Sequence, residues 1–379
     1  MRLVPALWSC PRAHLLSARP DDAVLFFAPD VLHRTAKRFQ SGFPGLVTYA
    51  VKANDALEVL ENLVATGLTA FDVASPAEMR AVRSVAPAAA LHYNNPVRST
   101  AEIRLARDFG VRSYSVDCLG ELEKLLASGI DAGTEIAVRL HLPVAGAAYD
   151  FGAKFGATPD QSAVLLRRVA ERGLVPAMTF HPGTQCADPA AWAAYIHECA
   201  RVAQRAGVRL RRLNVGGGFA AHRTGAAPDL DTIFTGIDAA VRHAFGNDRP
   251  DLVCEPGRAM VAEAFTAATR VKAVRDDGTV FLNDGIYGSF AEAPILGNVD
   301  RIEVVPQSGR RPAPDTRPCI VFGPTCDSLD RLPGRVPLPI DLAEGDWILF
   351  HGMGAYSRAT LTRFNGYGTE RIETVESLV

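Results

Sequence analysis

The sequence predicts an α/β protein, a (β/α)8 TIM-like barrel with a second, mainly antiparallel β domain. Short apolar segments alternate with helical patterns over much of the chain, which indicates βαβ units and a parallel sheet. Eight such segments fall within about 210 residues, close to the usual size of a (β/α)8 barrel. From about residue 265 onward, short strands and turns follow one another without amphipathic helices, as in an antiparallel domain.

The eight barrel strands are predicted at 46–51, 70–74, 90–95, 113–117, 135–142, 177–183, 212–218 and 251–257. Helix candidates between them, such as ALEVLENLVATG, carry apolar residues three or four apart and end in glycine, a common helix stop. We expect residues 1–25 to add a strand to the β domain, 26–264 to form the barrel and 265–379 to form the β domain. The polar, proline-rich segment 306–318 is predicted to be a surface loop.

Composition excludes several classes of protein. The 379 residues are 48% hydrophobic and 22% charged, which is typical of a soluble globular protein, and the net charge of −2 provides no basic field for nucleic acid. The seven cysteines are odd in number and form no CxxC pair, so we expect neither disulfides nor a metal site. The first 20 residues are interrupted by prolines and arginines, and no stretch is long enough to span a membrane. A cytoplasmic protein is the simplest expectation.

The carboxyl ends of the predicted strands carry unusual residues. Active sites of (β/α)8 barrels lie at this end of the strands. The strands end at Lys52, 72–75, 94–95, Arg139, His181, 216–218 and 255–258. Polar, glycine-rich turns are common after barrel strands and explain one or two of these positions. Such turns do not readily explain why a lysine, an arginine, a histidine and a glutamate all lie at the carboxyl end of the strands.

Lys52 and the glycines suggest an anionic cofactor with a reactive carbonyl. A partly desolvated lysine can form a Schiff base, although a salt-bridged or snorkelling lysine is as good an interpretation of its position alone. The run GGG at 216–218 follows the seventh strand, and Gly257 and Arg258 follow the eighth, where barrels commonly bind phosphate. A tight turn also requires glycine, so the placement carries more weight than the run itself.

Glu255 would lie near this phosphate site, where a carboxylate is unexpected unless it serves another part of the ligand. A carboxylate opposite the pyridine nitrogen of pyridoxal 5'-phosphate (PLP) keeps the ring protonated. Lys52, a phosphate cradle and Glu255 therefore form a consistent PLP set. His181 could stack on the ring or assist proton movement, although a lone histidine more often packs or caps.

Longer motifs carry a family resemblance. They are YAVKAN (49–54), FDVAS (71–75), KFG (154–156), HPGTQ (181–185), GGGF (216–219), EPGR (255–258), NDGIYGSF (283–290), GPTCDSLD (323–330), GDWILF (345–350), MGAYS (353–357) and FNGY (364–367). In this order they resemble the fold-type III PLP-dependent decarboxylases, and within them the ornithine decarboxylase group of the ornithine/diaminopimelate/arginine decarboxylase family. The resemblance extends from about residue 24 to the C-terminus.

The resemblance implies a role for each matching residue of the barrel. Lys52 would bind PLP covalently, Glu255 would pair with the pyridine nitrogen, and His181 would stack on the ring. The implied phosphate-binding residues are Thr184, Gly217, Gly218, Gly257, Arg258 and Tyr356. Asp72, Arg139 and Glu78 would form a polar shell around the lysine.

Other roles implied by the resemblance belong to the second domain. Cys326 would return a proton to the substrate carbon and Asp327 would bind the distal amine, both from the partner subunit of a head-to-tail homodimer. Tyr287, Glu292, Leu296 and Phe364 are the further candidate substrate-binding residues.

One stretch departs from the family pattern. Where ornithine decarboxylases carry an aspartate for the distal ammonium, the segment AEAPILGNVD (291–300) has the apolar Ile295 and Leu296. The leading prediction is a decarboxylase for L-ornithine or a related basic amino acid, with a putrescine-type amine as product. The alternatives are a decarboxylase for a different or conjugated amino acid, an amino-acid racemase and an inactive regulatory homologue.

Overall fold

The structure is a computed structural model that describes residues 8–143 and 154–379. It contains two compact units. The barrel unit comprises Thr35–Ala220 and Pro228–Gly257, and the β unit comprises the chain through Arg34, Ala221–Ala227 and Arg258–Val379. Parts of the predicted 1–25 and 26–264 segments, namely 1–7 and 144–153, lie outside the described residues.

Strands and helices alternate in the first two thirds of the chain. The strands are β1 Val24–Phe27, β2 Leu46–Val47, β3 Tyr49–Ala50, β4 Ala70–Val73, β5 Ala90–Tyr93, β6 Ser113–Val116, β7 Glu135–Arg139, β8 Val175–Thr179, β9 Arg212–Asn214, β10 Asp251–Cys254, β11 Phe265–Val274, β12 Val280–Leu282, β13 Ile302–Val305, β14 Thr316–Cys319, β15 Val321–Phe322, β16 Val336–Pro339, β17 Trp347–His351 and β18 Ile372–Thr374. The helices are α1 Pro11–Ala18, α2 Pro29–Gly42, α3 Leu57–Ala65, α4 Pro76–Val85, α5 Thr100–Asp108, α6 Leu119–Ala127, α7 Pro159–Glu171, α8 Pro189–Ala206, α9 Leu230–Phe245, α10 Arg258–Val261 and α11 Ala293–Leu296.

The barrel unit is a parallel sheet that closes on itself. Its order is β2-β10-β9-β8-β7-β6-β5-β4-β3, and β2 and β3 are two parts of one strand interrupted at Thr48. The backbone N–H and the hydroxyl of Thr48 both donate to the carbonyl of Cys254, at 2.9 and 3.0 Å. The first strand thereby pairs with β10 through one half and with β4 through the other. The predicted (β/α)8 barrel is confirmed.

Local signals in the sequence position the barrel helices. Ser75 accepts a hydrogen bond from the backbone N–H of Glu78 and caps α4, and Thr158 caps α7 through a reciprocal pair with Gln161. α8 ends at Gly207, whose φ of 66° favours glycine. Ser75 and Thr158 lie at the amino ends of α4 and α7, and Gly207 lies at the carboxyl end of α8, before β9.

The β unit is mainly antiparallel, as predicted. Its central sheet has the order β13-β17-β11-β1-β18, in which β1 pairs antiparallel with β11 and parallel with β18. Trp347, Phe26 and Leu349 are almost fully buried in the cluster that packs against this sheet. The predicted loop 306–318 was wrong at its end, because Thr316–Pro318 lie in β14, which pairs with β16.

Within the described residues, no helix combines the length and apolar character needed to cross a membrane. The same residues contain no group of three or more histidine, cysteine or acidic side chains arranged to hold a metal ion.

Candidate active site

Lys52 lies on a short 3-10 turn, Val51–Ala53, directly after β3. Val51 and Ala53 are buried and anchor the turn, whereas Lys52 is exposed. The partial desolvation expected from the sequence is therefore not seen in this chain. Gly257 lies against the same turn, since a Cβ at this position would come within 3.0 Å of Ala53 Cβ. Any side chain on Gly257 would displace the turn that carries the lysine.

Two buried carboxylates, those of Asp72 and Glu255, interact with the charge of Lys52. Burial and, to a smaller extent, the nearby Asp72 raise the pKa of Glu255 to about 8, while Asn214, Lys52 and Arg139 oppose these effects. Burial also raises the pKa of Asp72, against the charges of Lys52 and Arg139 and a hydrogen bond from Asn94. This end of the barrel therefore combines two acids and two cations, so the protonation of each group depends on the others.

Arg139 and Glu78 belong to the same electrostatic group. Arg139 ends β7 and its guanidinium lies 5.2 Å from the ring centre of Phe155. Glu78, near the start of α4, accepts a hydrogen bond from the backbone N–H of Ala74 at 2.8 Å. Burial raises the pKa of Glu78 to about 7, and the charges of Asp72 and Lys52 act on it in opposite directions. The predicted polar shell around the lysine is thus present as an interacting set.

His181 follows β8 and is neutral. Its Nδ1 accepts a hydrogen bond from the backbone N–H of Gly183 at 3.1 Å, so the ring proton is on Nε2. Burial lowers the pKa of His181 well below its usual value, and Lys52 and Arg139 lower it further. A neutral ring is suited to stacking because it adds no charge to a site that already holds two cations.

The glycine loop after β9 packs against backbone on both sides. Gly216 and Gly218 have φ values of 69° and 83°. A Cβ would come within 2.1 Å of the Phe180 carbonyl oxygen at Gly216 and within 2.3 Å of the Gly183 carbonyl oxygen at Gly218. These contacts support the tight-turn interpretation of the glycine run, alongside any role in binding an anion.

Gly217 is the member of the run nearest the side chains discussed above. A Cβ on Gly217 would lie 2.6 Å from the Glu255 carbonyl oxygen and 3.4 Å from His181 Nε2. Thr184 is half-buried on the segment that Gly218 contacts. The loop therefore brings together the predicted site residues that follow β8, β9 and β10, which are the sixth, seventh and eighth strands of the barrel.

In the β unit, Arg258 is buried between an acid and an aromatic ring. Its Nη1 and Nη2 donate to Glu292 at 2.7 and 2.5 Å, and its guanidinium carbon lies 4.9 Å from the ring centre of Tyr356. Arg258 Nε is buried without a hydrogen-bond partner among the described residues. Glu292 is consequently neutralised by an arginine, which differs from the free carboxylate that a substrate ammonium would require.

Tyr287, Cys326, Asp327 and Phe364, which we call the Cys326 patch, come together elsewhere in the β unit. The Tyr287 hydroxyl donates to Asp327, and the rings of Tyr287 and Phe364 are 5.0 Å apart. The backbone N–H of Cys326 donates to the Asn365 side chain at 3.1 Å. The hydrogen bond from Tyr287 is the main cause that lowers the pKa of Asp327, and Cys326 and Phe364 are exposed.

Backbone strain marks several of the same motifs. Among the described residues, the non-glycine residues with positive φ are Arg19, Gln185, Tyr356 and Asn365. The last three lie in HPGTQ, MGAYS and FNGY. Such conformations cost of order 1–3 kcal/mol each and concentrate at functional sites.

Comparison with known proteins agrees with this geometry. Residues 30–262 match the family model described as "Pyridoxal-dependent decarboxylase, pyridoxal binding domain". The chain belongs to this family. It is therefore a PLP-dependent amino-acid decarboxylase. Mouse ornithine decarboxylase is 31% identical over 389 aligned positions, which cover 94% of this chain and 82% of the mouse protein.

Solved structures show the same fold for the decarboxylase. The arginine decarboxylase of Paramecium bursaria Chlorella virus superposes with a TM-score of 0.85 and 25% identity, covering 95% of this chain and 98% of the viral one. The lysine/ornithine decarboxylase of Vibrio vulnificus, complexed with cadaverine, superposes with a TM-score of 0.83 and 27% identity, covering 97% and 100%.

The residues of the decarboxylase fit its cofactor. Asp72 Oδ1 is a buried polar atom without a partner among the described residues, as expected where a polar ligand completes the site. The donor set also suits PLP, with an exposed primary amine on Lys52 and a buried carboxylate on Glu255. The positions of the predicted barrel residues in the structure are compatible with this cofactor.

Sequence reasoning placed Asn94 at a strand end without giving it a role, and it missed Asn214. Each donates its side-chain amide to Glu255 Oε1. Both stand at the carboxyl ends of their strands, so position alone was an available signal. An uncharged amide gave no chemical reason to single them out.

Proposed function

We propose that this decarboxylase acts on L-ornithine or a related basic amino acid, and that it releases CO2 and a putrescine-type amine. The observation that carries the proposal is Asp327, whose carboxylate the Tyr287 hydroxyl keeps ionised in the Cys326 patch. An ionised carboxylate suits the distal ammonium of a basic substrate. The similarity to mouse ornithine decarboxylase and to the lysine/ornithine decarboxylase of Vibrio vulnificus supports the same substrate class.

The barrel residues hold the cofactor in this proposal. Lys52 would bind it covalently, Glu255 would pair with its ring nitrogen and the neutral His181 would stack on the ring. Within the barrel unit, its phosphate would be held by Thr184, Gly217, Gly218 and Gly257. When bound, PLP supplies an electron sink that stabilises the charge left on the substrate α-carbon after CO2 departs.

The remaining steps belong to side chains of the protein. Lys52 would provide the amine that holds the cofactor, and the substrate amine would take that place until the product leaves. Cys326 donates a proton from Sγ to the substrate carbon. Asp327 orients the far end of the substrate, and its pairing with Tyr287 fixes the direction of the carboxylate. Water must be excluded while the α-carbon carries charge.

A homodimer with shared sites would provide this exclusion. Cys326 is exposed and Phe364 is 41% exposed in the single chain, so the patch is open to solvent. A two-fold partner would cover the patch and contribute Cys326 and Asp327 to the opposite site. All seven cysteines are free, which supports a reducing cytoplasm as the compartment.

One observation favours a second candidate, the same reaction on a different or conjugated amino acid. Ile295 and Leu296 occupy α11, where the family pattern has an acid, and Glu292 at its start is engaged by Arg258. Asp327 would then bind the distal group alone. A buried ammonium needs a partner, so a substrate with a partly apolar far end would fit better than ornithine.

A CO2-release assay across ornithine, lysine, arginine and longer or acylated analogues tests both candidates. Charge-assisted hydrogen bonds contribute about 1.5–3 kcal/mol, so Leu296→Asp should raise kcat/KM for ornithine by roughly ten- to a hundredfold if the family acid is missing. Ile295→Asp is the matched control, because Ile295 is 65% exposed and should change the value less. If Leu296→Asp does not lower the KM for ornithine below the wild-type value, the second candidate is excluded. Release of CO2 from none of the substrates would exclude both.

A further inference from the structure

Glu255 has an unusual hydrogen-bonding environment for a carboxylate. The side-chain amides of Asn94 and Asn214 both donate to the same oxygen, Oε1, so neither engages Oε2. All three residues are at least nine-tenths buried, with exposures of 8% or less. Two neutral donors on one buried oxygen favour the ionised carboxylate without adding a charge.

The orientation of the Asn214 amide is set by the glycine loop. Asn214 Oδ1 accepts a hydrogen bond from the backbone N–H of Gly216 at 2.9 Å, so its NH2 group must point the other way. The backbone N–H of Glu255 in turn donates to the Gly216 carbonyl at 2.9 Å. The loop, Asn214 and Glu255 therefore form one closed network, in which a flipped amide would lose both bonds.

Asn94 stands between two acids. It donates to Glu255 and, through a second side-chain hydrogen bond, lowers the pKa of Asp72. Neighbouring carboxylates tend to share one proton because both cannot easily ionise. An amide that donates to both replaces that shared proton, and the cations Lys52 and Arg139 balance the charge.

We propose that Asn94 and Asn214 are positioning residues that favour the ionised form of Glu255 and orient its carboxylate for the ring nitrogen of the bound cofactor. The inference rests on the role of Glu255 proposed above. It adds that the carboxylate alone is insufficient, because its burial and its proximity to Asp72 favour the neutral acid. A neutral Glu255 would hold a protonated ring nitrogen poorly.

The test compares PLP with its analogue in which CH replaces the ring nitrogen. Full-length protein is reconstituted with each compound, and the two dissociation constants are measured by absorbance and fluorescence. The wild type should prefer PLP. Asn94→Ala and Asn214→Ala should each reduce this preference roughly tenfold, the size of one hydrogen bond to a charged group. Neither substitution should change the dissociation constant of the analogue to a comparable extent.

Asn95→Ala is the matched control, since the Asn95 amide faces the Ala74 carbonyl instead. Its preference for PLP should remain that of the wild type. Asn94→Asp preserves the shape of the side chain but adds a third carboxylate beside Asp72 and Glu255. It should lose the preference at least as strongly as Asn94→Ala, which separates the electrostatic effect from a failure to fold.

The pH dependence provides a second readout. Without the two amides the pKa of Glu255 rises. As the pH is lowered, the variants should therefore lose their preference for PLP at a higher pH than the wild type does. The groups that face Glu255 in this titration are Asp72, Lys52 and Arg139. A merely structural loss would lower binding of both compounds at every pH.

The outcomes distinguish the two proposals. If Glu255→Gln abolishes the preference and the asparagine variants leave it intact, the inference about Asn94 and Asn214 is overturned and the role of Glu255 stands. If Glu255→Gln also leaves it intact, the role of Glu255 itself is wrong.

Discussion

The barrel end that carries Lys52 and the Cys326 patch differ in how completely one chain builds them. In the barrel, Asp72 and Glu255 are buried and their protonation is coupled to Lys52 and Arg139. In the patch, Cys326 is exposed and its backbone N–H donates a hydrogen bond to the Asn365 side chain. The Tyr287 hydroxyl donates to Asp327. The barrel group is held by strand ends that a closed sheet fixes, whereas the patch lies on loops of the β unit.

This difference indicates which of the two regions a partner subunit would complete, under the dimer that we propose. Burial shifts the pKa values of the barrel acids within one chain, so their chemistry is set before any assembly. An exposed thiol on a loop gains no comparable environment from its own chain.

Lys52→Ala should remove the covalent attachment of PLP and reduce turnover by about three orders of magnitude or more, as for loss of other covalent catalysts. The measurement is the visible absorbance of the purified protein together with CO2 release. Lys37→Ala, an exposed lysine of α2, is the control and should behave as the wild type. A borohydride-reduced adduct that maps to Lys154 instead would refute the assignment.

Mixing inactive Lys52→Ala and Cys326→Ala proteins should restore about a quarter of the sites, if a two-fold dimer exchanges subunits freely. Half of the dimers are then mixed, and each mixed dimer has one site with both residues intact. The measurement is CO2 release after exchange, with exchange itself followed by mass spectrometry of labelled chains. Complete exchange without recovered activity would place Lys52 and Cys326 in the site of one chain, against the contrast drawn above.

Glu255→Gln should change how the stability of the cofactor-free protein depends on pH. The pKa of Glu255 is about 8 when folded and about 4.3 in an unfolded chain. Between these values the folded state binds the additional proton. The contribution of Glu255 is therefore fully present at acid pH and is lost as the pH rises toward 8. Relative to the variant, the wild-type free energy of unfolding should fall by roughly 3–4 kcal/mol from pH 5 to pH 8.

Denaturant titrations at each pH measure this difference. Glutamine keeps a carbonyl oxygen for the amides of Asn94 and Asn214, so the variant loses the titration and little packing. Parallel curves for the two proteins across this pH range would show that burial does not perturb Glu255 as the structure implies.

Tyr287→Phe should have the smallest effect. The hydrogen bond from Tyr287 lowers the pKa of Asp327, so its removal should raise that pKa. The acid limb of kcat/KM for a cationic substrate should then move to higher pH, with a less than about threefold change at neutral pH. Tyr367→Phe is the matched control, since its hydroxyl contacts Lys272. A shift of equal size in both variants would remove Tyr287 from this role.

Much of the fold could be predicted because it depends on local sequence patterns. The alternation of apolar strands with amphipathic helices, ended by glycines such as Gly207, identifies the barrel before any contact is known. The strand ends then place Lys52, His181 and Glu255 at one rim. The end of the 306–318 loop was missed because β14 is polar and proline-containing and becomes a strand only by pairing with β16.

Residue type, periodicity and motif order were enough to predict the barrel and the cofactor class, and they also predicted which side chains react. Which uncharged groups complete the site became apparent only in the folded chain. Asn94 and Asn214 meet at Glu255 from strands that are 120 positions apart in the chain, and Glu292 is engaged by Arg258 across 34 positions. Such pairings arise from sheet closure and loop packing, and the directions of hydrogen bonds and the burial of charges follow from three-dimensional distances that no local pattern records.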